Sequence, residues 1–588
     1  MSKAQTITQK LSWLHTWGGL VFGWLLFAIF LTGTLAVFDK EIDEWMRPEI
    51  PAHNVSQVEA AQRALAYLQA NHPDASAWNI GLPTERSPGL SVSAGEQRRG
   101  GGQALDPRTG EKIDPRETAG GGFFFRFHFT LNMPRNIGIW VVGLAAVLML
   151  VALVSGIVIH KKFFKEFFTF RPNKGQRSWL DAHNASGVLL LPFHLMITYT
   201  GLVIFYLIYM PAAVDALFDG NREAAFGRGG QGGEQREARA PANGQGGERM
   251  AGGAERSGQR GAGEHEHSHE LGAERGQGAE RMARGAEQQG GARGEAGHDH
   301  SHDHDHEHES ERGERPLAPP AELTDLAPLL AEAERLMGPV GSLSIRNPGR
   351  ANAQIDVRPV LGNRIELTKG QGMQFDGVSG KVTRMPNESN PAQLTQKVMA
   401  GLHFAQFGGY PMRWLYFICG LVSSAMIASG LVLFTVKRSR RPDAEGALAA
   451  RMYAVAERVN IAVIAGLGIA CVGMLWANRL LPVELVGRAG WEVQVFFGLW
   501  LLTLVHACLR PSKQAWREQL GLGAALCLAL PLLSALTVEQ PWADNTRLLL
   551  ELTSVACGAL MAWATWRAGR PSEKPAPRRK AQTAVEAN

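Results

Sequence analysis

The chain is short of cysteine, with five in 588 residues. Cys419, Cys471, Cys508, Cys527 and Cys557 all lie in apolar runs. No polar segment holds one, so no disulfide framework is available there. No CxxCH string occurs either, so any haem would be held by coordination and packing rather than by thioether bonds. No GxGxxG follows a strand-like run, and no Walker-type loop is present. The chain therefore lacks an evident site for NADPH, flavin or ATP. No Ser-His-Asp constellation points to a hydrolase. Charge is also missing over long stretches. Residues 11–38, 136–160, 182–214 and 414–436 contain no Asp, Glu, Lys or Arg.

Each of those stretches exceeds the ~20 residues that cross ~30 Å of hydrocarbon. The first is too long for a signal-peptide core and lacks a small-residue cleavage site, so it reads as a retained helix. Four weaker spans follow near 459–478, 493–509, 519–538 and 546–566, the last containing Glu551. Basic residues set the expected orientation. Lys161, Lys162, Lys165, Arg171, Lys174 and Arg177 separate spans two and three, and Lys437, Arg438, Arg440 and Arg441 follow span four. Both loops are expected in the cytoplasm, with the N-terminus and the basic tail at Arg578, Arg579 and Lys580. The polar stretches 39–127 and 215–402 then lie outside, in the periplasm of a bacterium. The net charge of +5 is explained by this topology and calls for no nucleic-acid partner.

Histidines mark the spans in a repeating way. His15 precedes Gly19 and Thr32-Gly33, and His183 precedes Gly187 and Thr200-Gly201 at the same distances. His128 stands ahead of a span that closes Ser155-Gly156, and His403 ahead of one that closes Ser429-Gly430. Two copies of one unit are implied. A bis-imidazole haem needs one histidine from each of two facing helices, and two haem layers need two such pairs. The candidates are His15, His160 and His183 towards the cytoplasmic side, and His128, His194 and His403 from mid-membrane outwards. His183 and His194 are eleven residues apart, which on a straight helix gives one face and a rise of ~16 Å. Snorkelling to the headgroups is the competing role for His160, beside Lys161 and Lys162. His194 follows Pro192 and competes with a simple backbone-gap filler. Arg126, Arg135 and Arg413 are candidate clamps for haem propionates, with interfacial snorkelling as the alternative. His506 has no partner histidine in its spans and reads as structural.

The polar stretches repeat as well. Ser56 to Asn71 and Thr324 to Met337 have amphipathic helix patterns. Strand-like runs follow at 341–346, 352–358 and 363–368. Asp106 to Glu111 and Asp376 to Lys381 have the chemistry of hairpin turns. Each module reads as one helix on a small antiparallel sheet.

With these modules, their Asp-x-x-[Thr/Ser]-Gly turns and the His15/Gly19/Thr32-Gly33 pattern with its copy, the chain resembles the PepSY-associated transmembrane proteins over roughly residues 10–440. Some members of that family are bacterial inner-membrane reductases that release iron from siderophores with b-type haems. The resemblance implies a polytopic α-helical membrane protein of duplicated helix–PepSY module–helix units. They would form a four-helix haem-binding core with two periplasmic α+β modules, and the four extra C-terminal helices beyond about residue 450 lie outside the resemblance. The expected boundaries are helix 1 at 1–38, the first module at 39–127, helix 2 at 128–160, a basic loop at 161–181 and helix 3 at 182–210. An insertion at 211–317 comes next, then the second module at 318–402, helix 4 at 403–436 and a loop at 437–456. Helices 5–8 at 457–567 and a cytoplasmic tail at 568–588 complete the chain.

The insertion departs from that plan. Its core, near 218–316, is dominated by Gly, Ala, Arg, Glu and Gln, too poor in apolar residues to bury a core, and it reads as disordered. It holds nine of the 18 histidines. His265, His267 and His269 form one cluster, and His298, His300, His302, His304, His306 and His308 form another. Such tracts capture Zn²⁺, Ni²⁺ or Cu²⁺ loosely; a plain solvated linker is the other reading.

The expected function is transfer of electrons through two b haems per chain to a periplasmic ferric siderophore. The lipid bilayer surrounds the protein, and quinol or a separate cytoplasmic reductase supplies the electrons. The alternative is a non-redox metal-uptake or regulatory membrane protein.

Overall fold

A computed structural model of the protein describes residues 6–51, 55–95, 102–160, 171, 175–210, 318–362, 364–367, 372–386, 389, 391–438, 446–542 and 544–569. The histidine clusters of the insertion, most of the basic loop after residue 160 and the C-terminal tail lie outside the described residues.

Helix α1 spans Ile7–Ala36. Thr6 starts it with a capping box, its hydroxyl accepting from the Gln9 N–H while the Gln9 side chain accepts from the Thr6 N–H. The short helix α2, Asp39–Met46, follows at once. Helix α3, Gln57–Asn71, carries a second capping box at Ser56 and Glu59. Strands β1 (Ala77–Gly81), β2 (Leu90–Ala94), β3 (Gln103–Leu105) and β4 (Lys112–Ile113) come next. Helix α4, Gly120–Thr130, then leads to the long helix α5, Arg135–Ile159. Leu131 and Asn132 adopt left-handed φ of 52° and 57° between them. His128 therefore sits on its own short helix and not on the span that follows.

The third expected span is broken. Helices α6 (Gln176–Leu189) and α7 (Leu191–Ile204) meet at 66°. Pro192 occupies the first turn of α7 and cannot supply the amide that a continuous helix needs. The straight-helix reading that put His183 and His194 on one face fails at this bend.

Helix α8 (Leu326–Met337) and strands β5 (Val340–Arg346), β6 (Gln354–Pro359), β7 (Met373–Asp376) and β8 (Val382–Arg384) form the second extramembrane segment. Residues 364–367, expected as strand, form none. Leu367 instead donates its N–H to the Lys397 carbonyl, drawing the segment onto the next helix. That helix is α9, Pro391–Phe404, which bears His403. Ala405 turns left-handed after it, and α10, Gly409–Arg438, crosses the bundle.

The two sets of four strands are not separate modules. They join in one antiparallel sheet of order β4-β3-β2-β1-β5-β6-β7-β8. The seam pairs Trp78 with Ile345 and Ile80 with Leu343. Both first strands offered an open edge, and pairing them removes it. Ala60, Ala64 and Leu68 of α3, with Leu329, Leu330 and Ala333 of α8, share a core with Trp78, Ile80, Val92, Leu343, Ile355, Val357 and Phe375. The Asp turns form as their residues suggest. Asp106 Oδ1 accepts from the Arg108 N–H at 2.8 Å, and Asp376 Oδ1 from the Ser379 N–H at 2.7 Å.

The remaining described elements are helices. Ala447–Leu480 is α11, with a π-helical stretch at Ala462–Gly466, and Arg488–Leu509 is α12. Helices α13 (Ser512–Leu528) and α14 (Leu530–Thr537) form a second bent pair, and α15 is Asn545–Gly569. Among the described residues six helices are long and apolar enough to cross a membrane, and each bent pair adds a further candidate span. Trp140, Val147, Val154, Leu501, Leu502, Leu552 and Leu560 point outwards, as lipid-facing residues do.

The C-terminal helices are tied to the rest by buried polar groups. Glu492 is fully buried and accepts from Thr118 Oγ1, the Ala119 N–H, Asn478 Nδ2 and Arg488 Nη1 at 2.6–2.9 Å. Arg488 is also fully buried and donates to the Glu117 and Asn478 carbonyls. Trp45 of α2 donates to Glu551 at 3.0 Å, and Arg479 stacks 4.0 Å from the Trp45 ring.

Candidate functional site

Four histidines meet in two pairs. His15 of α1 and His183 of α6 have ring centres 6.3 Å apart. His128 of α4 and His403 of α9 have ring centres 5.9 Å apart. Each pair takes one histidine from the chain before residue 160 and one from the chain after residue 175. Along α1, fourteen residues separate His15 from Ile29, which holds His128, so the pairs lie about 20 Å apart down the helix axis.

Each ring is held by the same device. His15 Nδ1 donates to the Ala152 carbonyl at 3.0 Å, His128 Nδ1 to the Ile29 carbonyl at 2.8 Å and His183 Nδ1 to the Met426 carbonyl at 2.8 Å. His403 Nδ1 lies 3.1 Å from Thr200 Oγ1. A carbonyl only accepts, so Nδ1 carries the proton and Nε2 is left as the metal-competent nitrogen. A hydroxyl shares each cradle. Thr32 Oγ1 donates to Ala28 and Ile29, Ser155 Oγ to Ala152, Thr200 Oγ1 to Met196 and Ile197, and Ser429 Oγ to Met426. Bonded to its own backbone, the Thr200 hydroxyl is free to accept from His403.

The residue after each hydroxyl is glycine, and each glycine faces a histidine ring. A Cβ built on Gly33 would stand 2.5 Å from His128 Nδ1, one on Gly201 2.9 Å from His403 Cε1 and one on Gly430 3.0 Å from His183 Cε1. At Gly156 it would stand 3.4 Å from His15 Cε1. A Ser/Thr-Gly pair on one helix is thus the socket for an imidazole from another. The imidazole lies against bare backbone, reaches the carbonyl three residues before the hydroxyl in three of the four cases, and has its tautomer fixed.

Two imidazoles that bind one metal ion place two bonds of about 2.0 Å each between them, plus about 1 Å from each nitrogen to its ring centre, or roughly 6 Å in all. Both pairs match that spacing. Among the described residues no group of three or more His, Cys, Asp or Glu side chains converges as a metal cage would. Gly18 and Gly19, one turn beyond His15, face open space, which leaves room for a flat ligand beside the ring. These residues would fit a haem, with His15 and His183 or His128 and His403 to hold it and backbone carbonyls as their outer partners.

The other candidates are arranged differently. His194 is fully buried, and its Nε2 meets Ser423 Oγ at 2.9 Å. Its ring neighbours are Phe30 and Phe193, and no second histidine ring joins it among the described residues. His160 caps the end of α5, donating its backbone N–H to Gly156. Arg126 and Arg135 are exposed, while Arg413 is buried with Nη1 3.4 Å from the Val37 carbonyl. His506 Nε2 lies 2.8 Å from Glu518, a salt-bridging position at the end of α12.

A cavity of about 1010 Å³ opens where the sheet meets the helices. Gln406, Gly408, Gly409, Tyr410 and Arg413 form part of its wall, beginning three residues after His403. Glu44, Arg86 and Asp544 form another part. Arg86 is held by Asp39 at 3.1 Å and Glu41 at 2.7 Å. Sequence reasoning passed over Glu44 and Asp544. Both lie in charged or polar stretches, Asp39 to Glu49 and Trp542 to Arg547, where no spacing singles them out.

A Pseudomonas aeruginosa protein described as uncharacterized is 31% identical over 187 residues. That match spans 30% of this chain and 44% of the relative, so the chain covers less than half of the relative's length. The PepSY-associated TM region matches residues 12–437, which takes in all four histidines, their four sockets and the sheet. The chain belongs to the PepSY-associated TM family.

Proposed function

We propose that this protein is an inner-membrane electron carrier with two b-type haems. One would be held by His15 and His183 and the other by His128 and His403. It would pass electrons to a ferric siderophore outside the membrane and so release iron. The observation that carries this reading is the four-fold socket: two histidine pairs at haem-ligand spacing, each ring with Nδ1 engaged and backed by glycine. Haem bound there supplies one-electron chemistry.

The chain's own residues account for the rest. The carbonyls of Ala152, Ile29 and Met426 and the Thr200 hydroxyl orient the ligands and raise their basicity. The four rings are half-buried among apolar helices. The cavity, whose wall begins three residues after His403, is about 1010 Å³, at the top of the range of roughly 300–1,000 Å³ that holds small ligands. It would bring the acceptor to the outer pair. Fe²⁺ is bound less tightly by hard oxygen donors than Fe³⁺, so reduction loosens the chelate. The siderophore assignment follows the family resemblance, and the cytoplasmic placement of both termini follows the basic loops. The two halves, each with two socketed histidines, are read as copies of one unit. With no nucleotide fingerprint in the chain, electrons would enter from quinol or a separate cytoplasmic reductase.

Purified from haem-replete cells, the protein should be red. It should carry about two haems per chain by pyridine haemochrome and show a Soret band that shifts on dithionite reduction. Colourless, folded protein would overturn the reading.

A further inference from the structure

The C-terminal helices lie beyond the matched region, and the buried acids at the cavity give them a task. Glu44 is 8% exposed and sits in the cavity wall on α2. Its carboxyl shares a hydrogen bond with Asp544, which comes from the segment that starts α15. Asp544 is fixed in turn by the Thr546 N–H at 2.9 Å. The neighbouring residue Trp45 is locked by Glu551 and Arg479, both from the C-terminal bundle. Arg547 donates to the Ile50 carbonyl at 2.7 Å. The bundle thus holds α2 from behind and lends it an acidic partner at the one place where α2 meets the cavity.

We infer that Glu44, paired with Asp544, is the proton donor to the chelate during iron release. This rests on the proposed electron route. An electron arriving by the proposed route would reduce Fe³⁺ of the chelate to Fe²⁺. One proton leaves Glu44 for a chelate oxygen as that oxygen's bond to iron breaks. The Glu44 carboxylate then regains a proton from bulk solvent through the open cavity. Charge and atoms balance: one electron and one proton enter the chelate, and Fe²⁺ with a protonated donor group results. Protonating the oxygen prevents it from rebinding iron, which reduction alone does not ensure.

The surroundings suit a carboxylic acid kept neutral until needed. Burial, the hydrogen bond to Asp544 and the charge of Asp544 push Glu44 up to about 9, with Glu41 adding to the rise and Arg547 opposing it. Burial works against the Asp544 charge, but the bonds from Glu44 and the Thr546 N–H, together with Arg547, hold it below the usual carboxylate range. One partner stores the proton and the other stays ionised. Glu85, Arg86, Glu334, Tyr410 and Arg413 complete the charged and titratable lining.

The test uses the full-length holoprotein reduced with dithionite and mixed anaerobically with a ferric trihydroxamate chelate. Wild-type haem oxidation should hold a plateau through neutral pH and fall above about 9. Glu44→Gln should be at least about 100-fold slower at neutral pH, the scale of a lost general acid, with a rate that tracks bulk proton concentration. Asp544→Asn should move the alkaline limb to lower pH, because the like charge that keeps Glu44 protonated is gone. Ferricyanide accepts an electron without a proton and should oxidise all three proteins equally. Infrared difference spectra should show a protonated carboxyl band in wild type at neutral pH that Glu44→Gln lacks. Equal chelate rates and pH profiles in wild type and Glu44→Gln would overturn this inference. Failure of the wild type to bind haem or to reduce either acceptor would overturn the electron route instead.

Discussion

Gly33→Ala tests the socket at its tightest point. The added Cβ would stand 2.5 Å from His128 Nδ1 and 2.7 Å from Cε1, inside the 3.0 Å that real Cβ atoms respect. The neighbour is a stiff ring held by a 2.8 Å bond to the Ile29 carbonyl. Ordinary contact begins at 3.4 Å, so the ring must move by about 0.9 Å, the difference from 2.5 Å. A shift of that size takes the bond to Ile29 out of range or carries Nε2 away from its ligating position. Loss of an outer-shell partner costs about 10–100-fold in metal affinity, or roughly 1.4–2.8 kcal/mol. Gly156→Ala is the matched control, because its Cβ would stand at an ordinary 3.4 Å from His15 Cε1. The assay is haem per chain by pyridine haemochrome at limiting haem, with circular dichroism to confirm folding. Gly33→Ala should keep about one haem per chain and Gly156→Ala about two. Gly201→Ala and Gly430→Ala, with Cβ positions at 2.9 and 3.0 Å, should fall between. If Gly33→Ala retains both haems with unchanged spectra, the glycines are not sockets and the reasoning is wrong.

His183→Ala should remove the haem shared with His15, and either His128→Ala or His403→Ala the other, each read as loss of about one haem per chain. His194→Ala should keep both haems, since His194 bonds to Ser423 and pairs with no histidine; a loss of low-spin signal would make it a ligand. Glu44 is raised from 4.5 to about 9 in the folded chain, so the native state holds a proton that the unfolded state releases in that window. Stability should therefore fall as pH rises from about 4.5 to 9, and Glu44→Gln should flatten that part of a Tm-against-pH curve. Glu492→Ala leaves Arg488 buried without its carboxylate and should cost about 3–5 kcal/mol, seen as a large drop in Tm in detergent, while Arg488→Met with Glu492→Leu should cost less. Deleting residues 220–314 should leave haem content and chelate reduction intact and abolish weak Ni²⁺ binding by titration, because that tract supplies nine imidazoles.

Much of this was legible in the sequence because it is local. The helix from Ser56 to Asn71, the turns at Asp106 and Asp376 and the charge-free spans each depend on residues a few positions apart. The Ser/Thr-Gly pairs were visible as a repeat, but not as sockets. His15 meets Ala152 across 137 residues, His128 meets Ile29 across 99 and His183 meets Met426 across 243, so periodicity along one helix says nothing of them. The shared face of His183 and His194 was read on the assumption of a straight helix, and Pro192 removes it. Pairing of β1 with β5 was also hidden, since a strand pattern gives the face but not the neighbour.

That seam has a mechanical consequence. Transporters built from repeats commonly carry cargo by rocking one half against the other around a central site. Here five residue pairs, Ala77–Arg346 through Gly81–Ser342, staple the extramembrane parts of the two halves into one sheet. A rocking stroke would have to shear that ladder and open the core beneath it at every cycle. An architecture locked in this way suits cargo that crosses without any gate opening, as in the electron route proposed above.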